Sequence, residues 1–202
     1  MNDDWLQPGV RRFSIDALSA EPWRNGGGST RTIASSIAQA GEEWLWRVSL
    51  ADIGRNGPFS RFPGIDRHLT LVEGRGLVLS DASSVMKLHG CGESVVFPGE
   101  RALEATLLER PARALNVMSR RGRAVACVKT ITPSAGVNLE MPGAHVVVLV
   151  LAGSNAISAV SAGFELDLRE GEGLWCRPSA MPFQLRAATD DDIAVVAHIV
   201  ET

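Results

Sequence analysis

Residues able to do chemistry are concentrated in the first half of this chain, in residues 22–31 (PWRNGGGSTR), 46–52 (WRVSLAD), 57–67 (GPFSRFPGIDR) and 115–122 (LNVMSRRG). Guanidinium, hydroxyl and amide groups dominate them. An Arg fork from Arg47 or Arg67 suits a carboxylate, which it grips through two parallel hydrogen bonds, while Asn25, Ser49, Ser60 and Asn116 add neutral donors and acceptors. Trp23, Phe59 and Phe62 would form aromatic walls. The set fits a small metabolite that carries a carboxylate and a second polar group. The bland alternative pairs Arg47 with Asp52 or Asp66 on a solvated strand face and makes the rings ordinary core filling.

Other chemistries leave no trace in the sequence. It has no Gly-x-Ser-x-Gly elbow, no phosphate-binding loop of Walker type and no His-Glu-x-x-His. Tyrosine is absent, so a Tyr general acid is excluded. Cys91, Cys127 and Cys176 are odd in number and widely spaced, which fits reduced thiols, each a small buried hydrophobe. No catalytic residue, cofactor or metal ligand is assigned. The competing reading is a metal-independent isomerase or hydrolase that uses His68, Asp66 or Glu73 as general base on a small carboxylate substrate.

These groups must be positioned by strands. The 202 residues are 45% hydrophobic and 21% charged, enough for one or two compact domains with a real core. A net charge of −3 repels phosphate backbones and anionic membranes, so neither nucleic acid nor membrane is an expected partner. Residues 1–10 lack the charged and apolar regions of a secretory signal, and the apolar run 146–152 is about a third of a membrane span, so the expected location is the cytoplasm. Short apolar runs at 45–50, 68–72, 76–79, 94–97, 124–131, 146–151 and 193–200 are separated by Gly, Pro, Asn and Asp. That pattern predicts an all-β sandwich or barrel. Alternation along 46–50 puts Arg47 and Ser49 on one face, opposite Trp46, Val48 and Leu50. Residues 28–41 read equally as a strand with a turn or as a short helix. Gly26 to Gly28 read as a turn needing positive φ or close backbone approach.

An internal repeat organises the chain. Residues 68–74 (HLTLVEG) shifted by about 79 positions fall on 147–153 (VVLVLAG), and Gly92, Glu93 and Val95 fall on Gly171, Glu172 and Leu174. The order of features resembles the cupin double-stranded β-helix, a jelly-roll relative. Two such barrels are expected, one over residues 10–130 with the pocket and one over 131–202 with a structural role, joined by 132–136. Metal-binding cupins present two histidines and a glutamate from one strand pair and a further histidine later. Here His68 has no histidine partner two residues on, where Thr70 stands, and His89, His145 and His198 are isolated, so a metal-free bicupin is expected.

Taken together, the motifs over about residues 20–123 resemble the HutD/Ves family of small bicupin proteins, with Ala114-Leu115-Asn116 and Gly99-Glu100 as departures from its usual pattern. The resemblance implies an accessory or regulatory role in histidine utilisation, with urocanate or formylated glutamate-type intermediates as candidate ligands. A third reading is an interaction module whose second barrel forms a homodimer surface.

Overall fold

The computed structural model describes residues 5–24, 26–36, 43–109, 111–139, 142–153, 156–161, 164–178, 180 and 182–202. Val, Ile and Leu alternating between turn-forming glycines produce strands nearly throughout. In chain order these are β1 (Trp5–Gln7), β2 (Val10–Ser14), β3 (Ala20–Pro22), β4 (Gly28–Ser35), β5 (Trp46–Ile53), β6 (Gly57–Pro58) and β7 (Ile65–Glu73). They continue with β8 (Leu77–Ser80), β9 (Val85–Leu88), β10 (Ser94–Pro98), β11 (Glu104–Leu107), β12 (Ala112–Arg120) and β13 (Ala124–Ile131). The last are β14 (Val137–Leu139), β15 (His145–Ala152), β16 (Ile157–Ser161), β17 (Phe164–Leu168), β18 (Glu172–Cys176), β19 (Phe183–Arg186) and β20 (Ile193–Glu201). Short 3-10 turns at Ile15–Ala17 and Pro133–Ala135 are the helical elements among the described residues, and no helix there is long and apolar enough to cross a membrane. The fold is all-β. The ambiguous stretch from residue 28 is strand as far as Ser35, and 37–42 lie outside the described residues.

Two compact units divide the chain. The first comprises Leu18–Ala126 with Glu201–Thr202, and the second Cys127–Val200 with the segment ending at Ala17. The first contains a sheet in the order β10-β7-β12-β5-β4-β3 and a smaller one ordered β6-β11-β8-β9. The second contains β1-β2-β18-β15-β20-β13 and β14-β19-β16-β17. The boundary expected at residue 10 therefore moves. Val10–Ser14 adds to β18, with Val10 opposite Cys176 and Ser14 opposite Glu172, so it belongs with the C-terminal strands.

The repeat is visible strand by strand. The order β10-β7-β12-β5 of the first unit recurs as β18-β15-β20-β13 in the second, and β6-β11-β8-β9 recurs as β14-β19-β16-β17. Register agrees too: Leu71 pairs with Ala114 in one unit and Val150 with Ala194 in the other, each next to a register shift. Interior rows fill with aliphatic side chains, Leu69, Leu71, Leu77 and Leu79 in the first unit and Val148, Val150, Leu174 and Val196 in the second. The cysteine expectation holds only for Cys176, since Cys91 and Cys127 are exposed.

The equivalent glycines do the same work in both units. Gly74 (φ +111°) turns so tightly over the start of β12 that a Cβ would lie 3.0 Å from Ala112 Cα, and Gly153 (φ +144°) would meet Asp192 Cα at 2.9 Å. Both need a backbone that L side chains rarely adopt, in space they could not enter. Gly74→Ala and Gly153→Ala are each expected to lower stability by about 1–3 kcal/mol, read as a lower denaturant midpoint at unchanged slope.

Candidate functional site

The strands β5, β7 and β12 lie side by side and are buried on both faces, so sequence alternation here separates two interiors. Trp46, Val48 and Leu50 on one face of β5 are fully buried, and so are Ser49, Ala51 and Ile53 on the other. Arg47 shares the second face, whose inner end belongs to the aliphatic cluster of Ala51, Ile53, Leu69, Leu71, Ala112 and Ala114. Toward the Arg47 end that same face becomes polar. One cross-strand row reads Phe97, Arg67, Met118, Arg47, and the next reads Leu69, Asn116, Ser49.

Arg67 is the centre of this layer. Only 4% of it is exposed. Its Nε donates to Asn116 Oδ1 at 3.3 Å and its Nη1 to the Ser60 carbonyl at 3.1 Å. Its guanidinium carbon lies over three rings, 5.1 Å from Phe59, 5.3 Å from Phe62 and 5.1 Å from Phe97. Arg47 stands beside it over Trp44 at 5.1 Å and Phe62 at 5.9 Å, with Nη2 3.6 Å from the Met118 sulfur and a buried Nε that has no hydrogen-bond partner. Among the described residues neither guanidinium has a carboxylate within ion-pair distance.

Electrostatics register that imbalance. Burial, and then the like charge of Arg47, pushes Arg67 down to about 10. Arg47 is also lowered by burial, with the charge of Glu21 partly opposing. Arg67 still carries its charge near neutral pH, because the lowered value lies well above it.

The carboxylates that could have neutralised Arg47 are held elsewhere. Asp52 accepts from Arg113 Nε at 2.7 Å, Arg31 Nε at 3.0 Å and Ser29 Oγ at 2.9 Å, and Arg113 also reaches Glu73 at 2.8 Å. Arg121 bridges Asp66 at 2.7 Å and Glu100 at 3.1 Å. The bland pairing of Arg47 with Asp52 or Asp66 is thus not what forms. The loop bearing Phe59 and Phe62 is fixed from both sides: Phe59 N donates to Leu103 O at 2.8 Å and Phe62 N to Gly99 O at 2.7 Å. Gly99 permits this approach, since a Cβ there would sit 2.6 Å from Phe62 O.

Of the residues expected to converge, Arg47, Ser49, Phe59, Phe62, Arg67 and Asn116 share this layer. Ser60 contributes its carbonyl, and the residue itself is exposed. Trp23 sits toward the opposite end of β5: its Nε1 donates to Thr30 at 2.8 Å, and it lines a separate hollow of about 310 Å³ with Ile53 and Phe59. Asn25 lies outside the described residues. Trp44, Phe97 and Met118 join the layer without having been singled out. Phe97 reaches the layer because β10 pairs with β7, which sets it opposite Arg67. His68 alternates to the other face of β7, opposite Val117, so it does not share the layer with Arg67. Burial lowers its pKa, against the pull of Asp66.

The Asp52 network has a pH signature. Burial pushes its carboxyl up, but hydrogen bonds from Arg113, Ser29 and Arg31 outweigh this and leave it below the ordinary value of 3.8. In that range the unfolded chain binds more protons than the native one, so the stabilisation is present above pH about 4 and is lost as pH falls further. Asp52→Asn is expected to flatten this acid limb of the stability curve, measured by denaturant titration between pH about 2 and 6.

Comparison with known proteins identifies the fold and the family. The structure superposes on HutD from Pseudomonas fluorescens SBW25 with a TM-score of 0.81 at 22% identity, covering 96% of this chain and 99% of that one. A Cupin 2 conserved barrel domain protein from Leptotrichia buccalis matches with a TM-score of 0.62 at 9% identity over 98% of this chain and 100% of that one. At these identities the likeness is one of fold, and the fold is cupin-like. Protein Ves of Citrobacter koseri is 36% identical over 118 residues, 58% of this chain and 61% of the relative. Protein Ves of Escherichia fergusonii is 36% identical over 109 residues, 54% of this chain and 56% of the relative. The matched part thus spans less than two thirds of the length of these curated relatives. The HutD family model matches residues 16–195, including the strands that carry Arg47, Arg67 and Asn116, and the chain belongs to the HutD family.

Proposed function

We propose that the first unit is a cupin-type barrel that binds a small carboxylate metabolite between Arg47 and Arg67, and that the chain is a metal-free bicupin. The observation that carries this reading is a pair of neighbouring guanidiniums, one nearly fully buried, without a carboxylate partner among the described residues. A bound carboxylate would supply the missing charge, with Ser49 and Asn116 as neutral neighbours in the adjoining row. One Arg–carboxylate fork contributes about 1.5–3 kcal/mol per charge-assisted bond, enough with an aromatic wall for roughly micromolar binding after ordering costs.

Family membership supports an accessory role in histidine utilisation, in the cytoplasm. A cupin fold raises the question of a metal, but the donor set does not fit one. Arginines repel a divalent cation, and among the described residues no group of three or more His, Cys, Asp or Glu is gathered for ligation. General-base catalysis has no support in the layer either: His68 is on the other face, Asp66 is held by Arg121 and Glu73 by Arg113.

Thermal-shift titration with urocanate, formylglutamate and simple carboxylates tests the reading, since a ligand of the native state raises the melting temperature by mass action. At least one carboxylate is expected to give a saturable rise that persists in EDTA. Arg67→Met is expected to weaken binding roughly 10- to 100-fold. The same variant should be as stable as the parent or more so without ligand, because a buried charge with no carboxylate partner among the described residues is replaced by an apolar chain of similar volume. An undiminished carboxylate response in Arg67→Met would remove the assignment.

A further inference from the structure

Register makes the two units comparable position by position. In the first, the row through the anion layer reads Phe97, Arg67, Met118, and the equivalent row of the second reads Cys176, Val146, His198. The next row confirms the alignment, with Leu69 and Asn116 matched by Val148 and Val196. A charged, bulky side chain has been replaced by valine, and a phenyl ring by a thiol. Space opens where those groups stood: a cavity of about 340 Å³ whose walls include Val146 and Cys176 together with Leu139, Ala144 and Phe183.

We propose that this cavity is a second ligand site, taking an uncharged and largely apolar small molecule of about the size of a one- or two-ring aromatic. Three observations carry it. The cavity occupies the position equivalent to the Arg67 layer, and its volume exceeds the lower end of about 300 Å³ for small-molecule sites. Its walls are mostly aliphatic side chains, prolines and a phenyl ring. The charged residue among them, Arg177, has its guanidinium over the Trp175 ring at 5.5 Å. A mostly apolar lining favours an uncharged ring over a hydrated ion, as an engineered cavity of about 150 Å³ that binds benzene illustrates. The wall thiol marks the medium: burial alone pushes Cys176 up to about 12, which keeps it neutral. Val146 stands at the position equivalent to Arg67, so among the described residues this layer lacks the buried guanidinium of the first unit.

The inference does not rest on the carboxylate reading, and the test separates them. Titration of the whole protein with indole, followed by thermal shift, is expected to give a saturable rise. Cys176→Phe restores the ring found at the equivalent place in the first unit, and Ala144→Leu fills the cavity from the residue preceding β15. Each is expected to weaken the indole response at least tenfold, while Arg67→Met leaves it unchanged. In crystals of the unmutated protein soaked with 5-bromoindole, the bromine should lie against Cys176 and Phe183 by anomalous scattering. The proposal is overturned if the parent protein shows no saturable response up to the solubility limit of indole, if either folded filling variant binds as the parent does, or if the bromine is absent from this cavity.

Discussion

Two neighbouring guanidiniums, Arg67 buried and Arg47 half-buried, with no carboxylate within ion-pair distance among the described residues, are the constraint around which the polar layer of the first unit is arranged. Taking a guanidinium out of water costs several kcal/mol even after relaxation, and an aromatic face returns about 0.5–2 kcal/mol. Arg67 collects three such faces and hydrogen bonds to Asn116 and the Ser60 carbonyl, yet its pKa is still pushed down to about 10. The protein's own groups therefore lower the cost of the charge without cancelling it. Asp52 is held by Arg31 and Arg113, and Asp66 by Arg121.

Duplication explains how such a site can sit in a small fold. The strand order that supports the Arg67 layer recurs in the second unit, down to the glycine turns at Gly74 and Gly153 and at Gly92 and Gly171. What differs is the chemistry hung on equivalent positions. Arginine in one unit and valine in the other change the layer from a charged one to a mostly apolar one, while the aliphatic rows behind it, from Leu69 to Ala114 and from Val148 to Ala194, remain packed alike. The backbone sets the place of each layer and a few side chains set its character.

Much of this was legible in residues. Alternation along 46–50 put Arg47 and Ser49 together, and the 79-residue shift identified the strands that correspond. Other features depended on pairings between distant strands. Asn116 meets Arg67 across 49 residues of chain because β12 inserts between β5 and β7. Which face of β5 is interior could not be read from hydrophobicity, since Trp46 and Ile53 on opposite faces are both buried. Trp23 and Ser60 were drawn in by neighbours in their motifs, whereas Trp23 sits near Thr30 and Ser60 turns outward. The N-terminal strand was misplaced for a similar reason: Arg12 reaches Glu172, 160 residues away, through a pairing no local pattern announces.

The proposed site requires Arg67 and Arg47 to meet the ligand's charge. Isotope-edited NMR of the arginine Nε–H groups, recorded while a small carboxylate that stabilises the protein is titrated, reads this directly. The two resonances are expected to shift together and saturate, those of Arg113 and Arg121 to stay in place, and the neutral methyl ester to have no effect. Shifts confined to the surface arginines, or an ester that acts as well as the acid, would contradict the account.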